Sequence, residues 1–184
     1  PALWMVLADD KSGVTMKVLA RRLLGRLLKT DIDRLPDSAK RLTQLAELFL
    51  RRKYPFSDPE NLQVWRWTAK GLVAGMAEGA KTALVRRDEA EAYWGEKCAR
   101  AAVALRSNDP RARQILLAFL MQSPPVPTSA PLAAARPDLM ALLAGQDVGT
   151  LEALLRLAME LDKPGMARHL LETFAARADS GPLN

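Results

Sequence analysis

A run of prolines divides the chain. Residues 123–137 read SPPVPTSAPLAAARP and hold five of the chain's 12 prolines. Because proline fixes φ and has no backbone N–H, neither a regular helix nor a central strand continues through such a stretch, and closely spaced prolines form a stiff, extended connection. The sequence therefore predicts a basic helical bundle at 1–122, a Pro-rich linker at 123–136, and a C-terminal helical hairpin at 137–184 that packs on the bundle or on a partner.

The composition favours helices on both sides of this run. Of the 184 residues, 49% are hydrophobic and 26% are charged, which is typical of a globular protein, and only 5% are aromatic. Leu, Ala and Arg are good helix formers, whereas the β-branched and aromatic residues that favour strands are sparse. We expect an all-α fold: a helical bundle of about five helices, the linker, and a short C-terminal hairpin segment.

Polar residues and prolines mark the predicted helix ends. Asp37 can cap one helix, and Asp58-Pro59 and Asp109-Pro110 each place a cap before a proline at the first helical position. Asp88 with Glu91 has the spacing of a capping box. The resulting prediction for the bundle is helices at about 12–29, 37–53, 59–86, 88–106 and 110–122, and for the C-terminal part helices at about 137–144, 149–161 and 164–178.

Three glycines are spaced four residues apart in the predicted helix 59–86. Gly71, Gly75 and Gly79 would lie on one side of it, with Trp67 near the edge of that side. Small residues at this spacing let a second helix approach closely. We interpret the four residues as a partner-binding face, for another protein or a second copy of this chain. The alternative is an ordinary helix neighbour within the bundle.

The predicted helix 12–29 is cationic and amphipathic. No acid occurs between Lys11 and Thr30. Its apolar side holds Met16, Leu19, Ala20, Leu23, Leu24, Leu27 and Leu28, and its other side holds Lys17, Arg21, Arg22, Arg26 and Lys29. With Arg51 and Arg52 at the end of the next helix, these cations form a predicted basic patch. Such a helix can dock an acidic partner, contact phosphate or lie on anionic lipid, or it can be a solvated face over a packed stripe.

Residues that could support catalysis are few. His169 and Cys98 are the only histidine and the only cysteine, so they cannot form a tetrahedral His/Cys metal site. Both are expected to be packing residues, and no phosphate-binding or dinucleotide glycine motif occurs. We therefore expect a non-enzymatic protein with no cofactor and no metal.

The function expected from these features is that of an interaction or adaptor protein that presents helical docking surfaces. The alternative is a nucleic-acid-associated protein, because residues 1–122 hold 22 Lys and Arg against 14 Asp and Glu. Binding to an anionic membrane surface is less favoured. No apolar run approaches the roughly 20 residues of a transmembrane helix, and a single cysteine favours a cytoplasmic protein.

Overall fold

The computed structural model describes residues 1–68, 71–76, 82–122 and 131–179. The fold is mostly helical, as the composition predicts, with one small two-stranded sheet. The chain forms two compact units, Pro1–Leu105 and Arg106–Asn184. No described helix is long and apolar enough to cross a membrane.

Two closely packed helices form the centre of the first unit. Its elements are α1 (Ala2–Ala8), α2 (Val14–Leu28), a 3₁₀ helix (Ile32–Arg34), α3 (Ser38–Leu50), the strands described below, and α4 (Arg87–Leu105). α3 packs along α4, and α1 contacts both. Small buried residues at the contact, Ala46 on α3 and Ala99 and Ala102 on α4, let the two axes come close. The sequence analysis missed α1, whose Trp4 is buried.

Of the predicted helix caps in the first unit, the one at Asp37 is confirmed and the one at Asp88 is wrong. Asp37 caps α3, because its carboxylate accepts a hydrogen bond from the Lys40 N–H at 2.9 Å. The predicted Asp88 cap of α4 is wrong. The helix begins one residue earlier, at Arg87, and the Glu89 carboxylate accepts from the Arg86 N–H at 3.0 Å.

The predicted helix 59–86 is wrong. Residues Trp65–Thr68 (β1) and Gly71–Ala74 (β2) form an antiparallel hairpin in which Trp65 pairs with Ala74 and Thr68 with Gly71. Alternation along β1 places Val64 and Arg66 on the inner side, and Trp65 outside. Val64 packs with Leu62 and with Ala90 of α4, so the hairpin covers the start of that helix.

The backbone of Val64 forms hydrogen bonds with two different parts of the chain. The Val64 carbonyl accepts from the Gly75 N–H at 2.9 Å, whereas the Val64 N–H donates to the Ala83 carbonyl, also at 2.9 Å. The Val85 N–H then bonds to the Leu62 carbonyl at 2.9 Å. The chain thus leaves the ladder after Gly75 and rejoins it at Ala83.

Gly71 and Gly75 belong to this hairpin and do not lie on a helix. Gly71 and Gly75 have φ of 107° and 72°, in a region that side chains with a Cβ rarely occupy. Their spacing of four therefore reflects two backbone positions that need glycine. Gly79 and the side chain of Trp67 lie outside the described part of the structure.

The second unit holds five helices within its described residues. They are α5 (Pro110–Gln122), α6 (Leu132–Ala135), α7 (Pro137–Ala144), α8 (Val148–Glu160) and α9 (Pro164–Asp179). The Asp109 carboxylate caps α5, accepting from the Arg111 N–H at 2.9 Å. α5 packs against α7, α8 and α9, and the division between the two compact units falls after Leu105.

The end of the predicted linker is helical. Residues 123–130 lie outside the description, but Leu132–Ala135 form α6, so the extended linker predicted for 123–136 is wrong for these four residues. Leu132 is buried, and its N–H donates to the Glu172 carboxylate at 2.7 Å. The predicted hairpin corresponds to α8 and α9, which pack against each other.

Candidate functional site

The most unusual surface of the first unit is the outward side of α2. Four large apolar side chains, Met16, Leu19, Leu23 and Leu27, are between 46% and 71% exposed. At 100° per residue they fall within an arc of about 80°, so they form one continuous line, which we call the apolar ridge. Scattered exposed leucines are ordinary on a protein surface, but these four lie on consecutive turns of one helix and form a continuous exposed apolar patch.

α2 is attached to the rest of its unit by a narrow stripe. Only Ala20, Leu24 and Gly25 are buried, and they face α1 and the 3₁₀ helix. The sequence predicts the ridge and the buried positions Ala20 and Leu24 on one apolar side. The structure separates them, because the small stripe makes the intramolecular contact and the ridge is left in water.

Four cations of α2 have no acidic partner. Arg21, Arg22, Arg26 and Lys29 are exposed, and none forms a salt bridge within the described residues. Arginines in other helices do pair one turn away, as Arg100 does with Glu96 at 2.7 Å and Arg168 with Glu172 at 2.8 Å. Lys17, the fifth predicted cation, is half-buried and lies near Asp9. α2 is therefore an uncompensated positive surface beside an uncovered apolar one.

A cavity lies at the C-terminal end of α2. Its volume is about 420 Å³, and Arg22, Arg26 and Lys29 line it together with Asp31 and Ile32. The side chains of these three cations therefore border one concave space.

The end of α2 holds Lys29 in an unusual conformation. The Thr30 N–H bonds to the Gly25 carbonyl at 3.0 Å, which is the closing bond of a Schellman turn. Lys29 takes the left-handed position of that turn, with φ of 50°, where glycine is the usual residue. At Gly25 itself a Cβ would lie 3.1 Å from the Thr30 carbonyl oxygen. The turn thereby fixes the Lys29 backbone at the cavity.

Arg51 and Arg52 take part in ion pairs of their own. Arg51 Nε lies 3.0 Å from the Glu47 carboxylate. Arg52 Nε lies 4.0 Å from the carboxylate of buried Glu91, which also accepts from Arg87 Nε at 2.9 Å. The predicted basic patch is therefore divided: Arg21, Arg22, Arg26 and Lys29 form no salt bridge among the described residues, whereas Arg51 pairs with Glu47 and Arg52 with Glu91.

The hairpin offers a second exposed apolar surface. Trp65 is half exposed on the outer side of the hairpin, as is Leu72. Trp67 pairs with Leu72 in the ladder. The alternation of buried and exposed side chains over Leu62-Gln63-Val64-Trp65 is the sequence signal that could have shown this surface.

The two candidate catalytic residues lie in different units and are buried. Burial raises the pKa of Cys98 to about 12. Burial also lowers the pKa of His169, whose Nδ1 has no hydrogen-bond partner among the described residues. Among the described residues, no group of three or more His, Cys, Asp or Glu side chains is placed to hold a metal ion.

Comparison with known proteins gives no relative: no family model, curated protein or solved structure matches this chain.

Proposed function

We propose that this protein is a non-enzymatic interaction or adaptor protein, and that the α2 surface is its docking site for another protein. The observation that carries the proposal is the apolar ridge, left uncovered on a helix that buries only Ala20, Leu24 and Gly25. Covering the exposed half of one such side chain contributes about 1 kcal/mol, so burial of all four favours association by about 4 kcal/mol.

The unpaired cations support the same proposal. Charges beside an apolar surface steer encounter and select among partners, even where they add little affinity. Arg22 and Arg26 border the ridge and have no acid to satisfy them within the described part of α2 and its surroundings. A chain with a single, buried cysteine suits a reducing compartment, and we propose the cytoplasm.

Nucleic-acid binding is the second candidate, and the unpaired cations of α2 are the observation that favours it. Phosphate contacts would satisfy those charges but would leave the ridge in water. Because α2 carries no aromatic side chain, it also has no stacking platform for bases. We therefore favour a protein partner.

Site-specific photo-crosslinking tests the proposal. A photoreactive amino acid replaces Leu23 on the ridge or, as a control, Leu171, an exposed leucine of α9. We expect a discrete crosslinked protein from the Leu23 position only, in cells that make this chain. The protein identified must then bind the purified chain, and Leu23→Gln must weaken that binding. Crosslinking that is equal at both positions, or absent at both, would contradict the proposal.

A further inference from the structure

We infer that the α2 surface recognises an acidic amphipathic helix of the partner protein, about three turns long, laid along the apolar ridge. This inference rests on the function proposed above and specifies the chemistry of the partner.

The spacing of the ridge indicates a helix. Met16 and Leu27 are 11 residues apart, which is about 16 Å along the axis, with one anchor on each turn. A partner helix matches this repeat when its own apolar side chains recur at i, i+3 or i+4 and i+7. An extended segment would need a free strand edge, whereas the backbone groups of α2 are already bonded within the helix.

The charges indicate an acidic partner with its acids on one side. Arg22 and Arg26 follow Leu19 and Leu23 by three residues, so both lie along the same flank of the ridge. The opposite flank holds Ala20, which is buried against the protein. A partner helix therefore meets cations along one edge only, and Glu or Asp on its corresponding edge would pair with them.

Other occupants fit less well. A second copy in antiparallel two-fold contact would bring the cations of the two α2 helices together. An anionic membrane would meet a ridge only one residue wide, without the aromatic side chains that commonly anchor interfacial helices.

Synthetic peptides test the inference on the full chain. The first is an 18-residue amphipathic helix with leucines on one side and glutamates on one flank. In the second, lysines replace the glutamates, and in the third the composition is kept but the leucine periodicity is destroyed. We expect fluorescence anisotropy to show the acidic helix binding at least tenfold more tightly than either control. Equal binding of all three would overturn the inference, as would stronger binding to vesicles with 30% phosphatidylserine or to duplex DNA.

Variants assign the binding to α2. The double variant Arg22→Glu/Arg26→Glu should lose at least tenfold in affinity for the acidic peptide and gain affinity for the lysine peptide. Lys40→Glu/Arg113→Glu, at two exposed positions elsewhere, makes the same charge change and should alter affinity less than threefold. Leu23→Gln should also weaken binding, and Leu171→Gln should not. Circular dichroism checks that each variant is folded, and equal losses in the test and control pairs would overturn the assignment.

The outcomes of the two tests are distinguishable. A specific Leu23 crosslink to a protein whose docking element is basic or non-helical would refute the acidic helix and leave the adaptor function standing. Peptide selectivity without a specific crosslink would support the stated chemistry and contradict the adaptor function.

Discussion

Arg66 Nε donates a hydrogen bond to the Gly75 carbonyl oxygen at 2.7 Å, which joins β1 to the residue that follows β2. In an uninterrupted antiparallel ladder this carbonyl would accept from the Val64 N–H. That N–H is bonded to Ala83 instead, so the carbonyl of buried Gly75 would lack a ladder partner. The Arg66 side chain therefore replaces a backbone bond where the ladder is interrupted.

Gly75→Ala should destabilise the first unit. A residue with a Cβ at φ of 72° is strained by about 1–2 kcal/mol, and we expect the free energy of unfolding in guanidinium to fall by that amount. Gly165→Ala is the matched control. It lies in α9 with no neighbour within 4 Å of the added Cβ, and should stabilise the second unit by roughly 0.5 kcal/mol. Equal effects at both glycines would show that the backbone of Gly75 is not strained by a side chain.

Lys29→Gly should raise the free energy of unfolding and weaken binding of the acidic peptide. Lys29 and Asp162 both have φ of 50° at the end of a helix. Glycine at either position should raise the free energy of unfolding by about 1 kcal/mol, because it removes the left-handed strain. Only Lys29→Gly removes a cation of the α2 surface, so it alone should weaken binding of the acidic peptide. If Asp162→Gly weakens binding as much, the loss does not come from the cation.

The second unit should lose stability in mild acid through His169. Burial lowers the pKa of this histidine, neighbouring Glu172 partly opposes the shift, and Arg168 and Arg136 add to it. The unfolded chain takes up the proton near the ordinary pKa of about 6.5, and the folded chain does so only at lower pH. Stability is therefore complete above about pH 6.5 and declines below it. Denaturation at pH 7.5 and 5.5 should show a decline that His169→Gln reduces, and an unchanged decline would contradict this assignment.

The reaction rate of the Cys98 thiol should measure how often the first unit unfolds. With a pKa of about 12, the thiol is almost wholly protonated at pH 8, and its side chain is buried. We expect Ellman's reagent to react with the folded protein at least roughly a thousandfold more slowly than with the denatured chain. Gly75→Ala should accelerate the reaction of the folded protein, and Gly165→Ala should not. Rapid reaction at native conditions would show that Cys98 is accessible.

The sequence predicts helix caps correctly where the capping interaction spans only a few residues. The caps at Asp37 and Asp109 depend on a side chain and an N–H at most three positions away. The sequence predicts a helix in place of the hairpin because glycines four residues apart are also consistent with the helical repeat. The positive φ values that explain Gly71 and Gly75 depend on pairing with another strand, which no local pattern records.

The α2 surface could be predicted in part. The run of cations without acids is visible in the sequence, and the structure leaves Arg22 and Arg26 unpaired. Which apolar side of α2 faces the protein depends on the shape of its neighbours. Ala20 and Leu24 are the apolar side chains that α2 buries, whereas Leu19 and Leu23 remain exposed.

The change of ladder partner at Val64 has a consequence for the length of chain between Gly75 and Ala83. Both ends of the excursion between Gly75 and Ala83 are held by backbone groups of the same residue. Lengthening the chain between these anchors leaves both hydrogen bonds in place, and loop-closure entropy grows only slowly with length. The two hydrogen bonds of Val64 therefore hold Gly75 and Ala83 together whatever the length of chain between them. The same arrangement would let evolution vary the length of this segment without rebuilding the strand that covers α4.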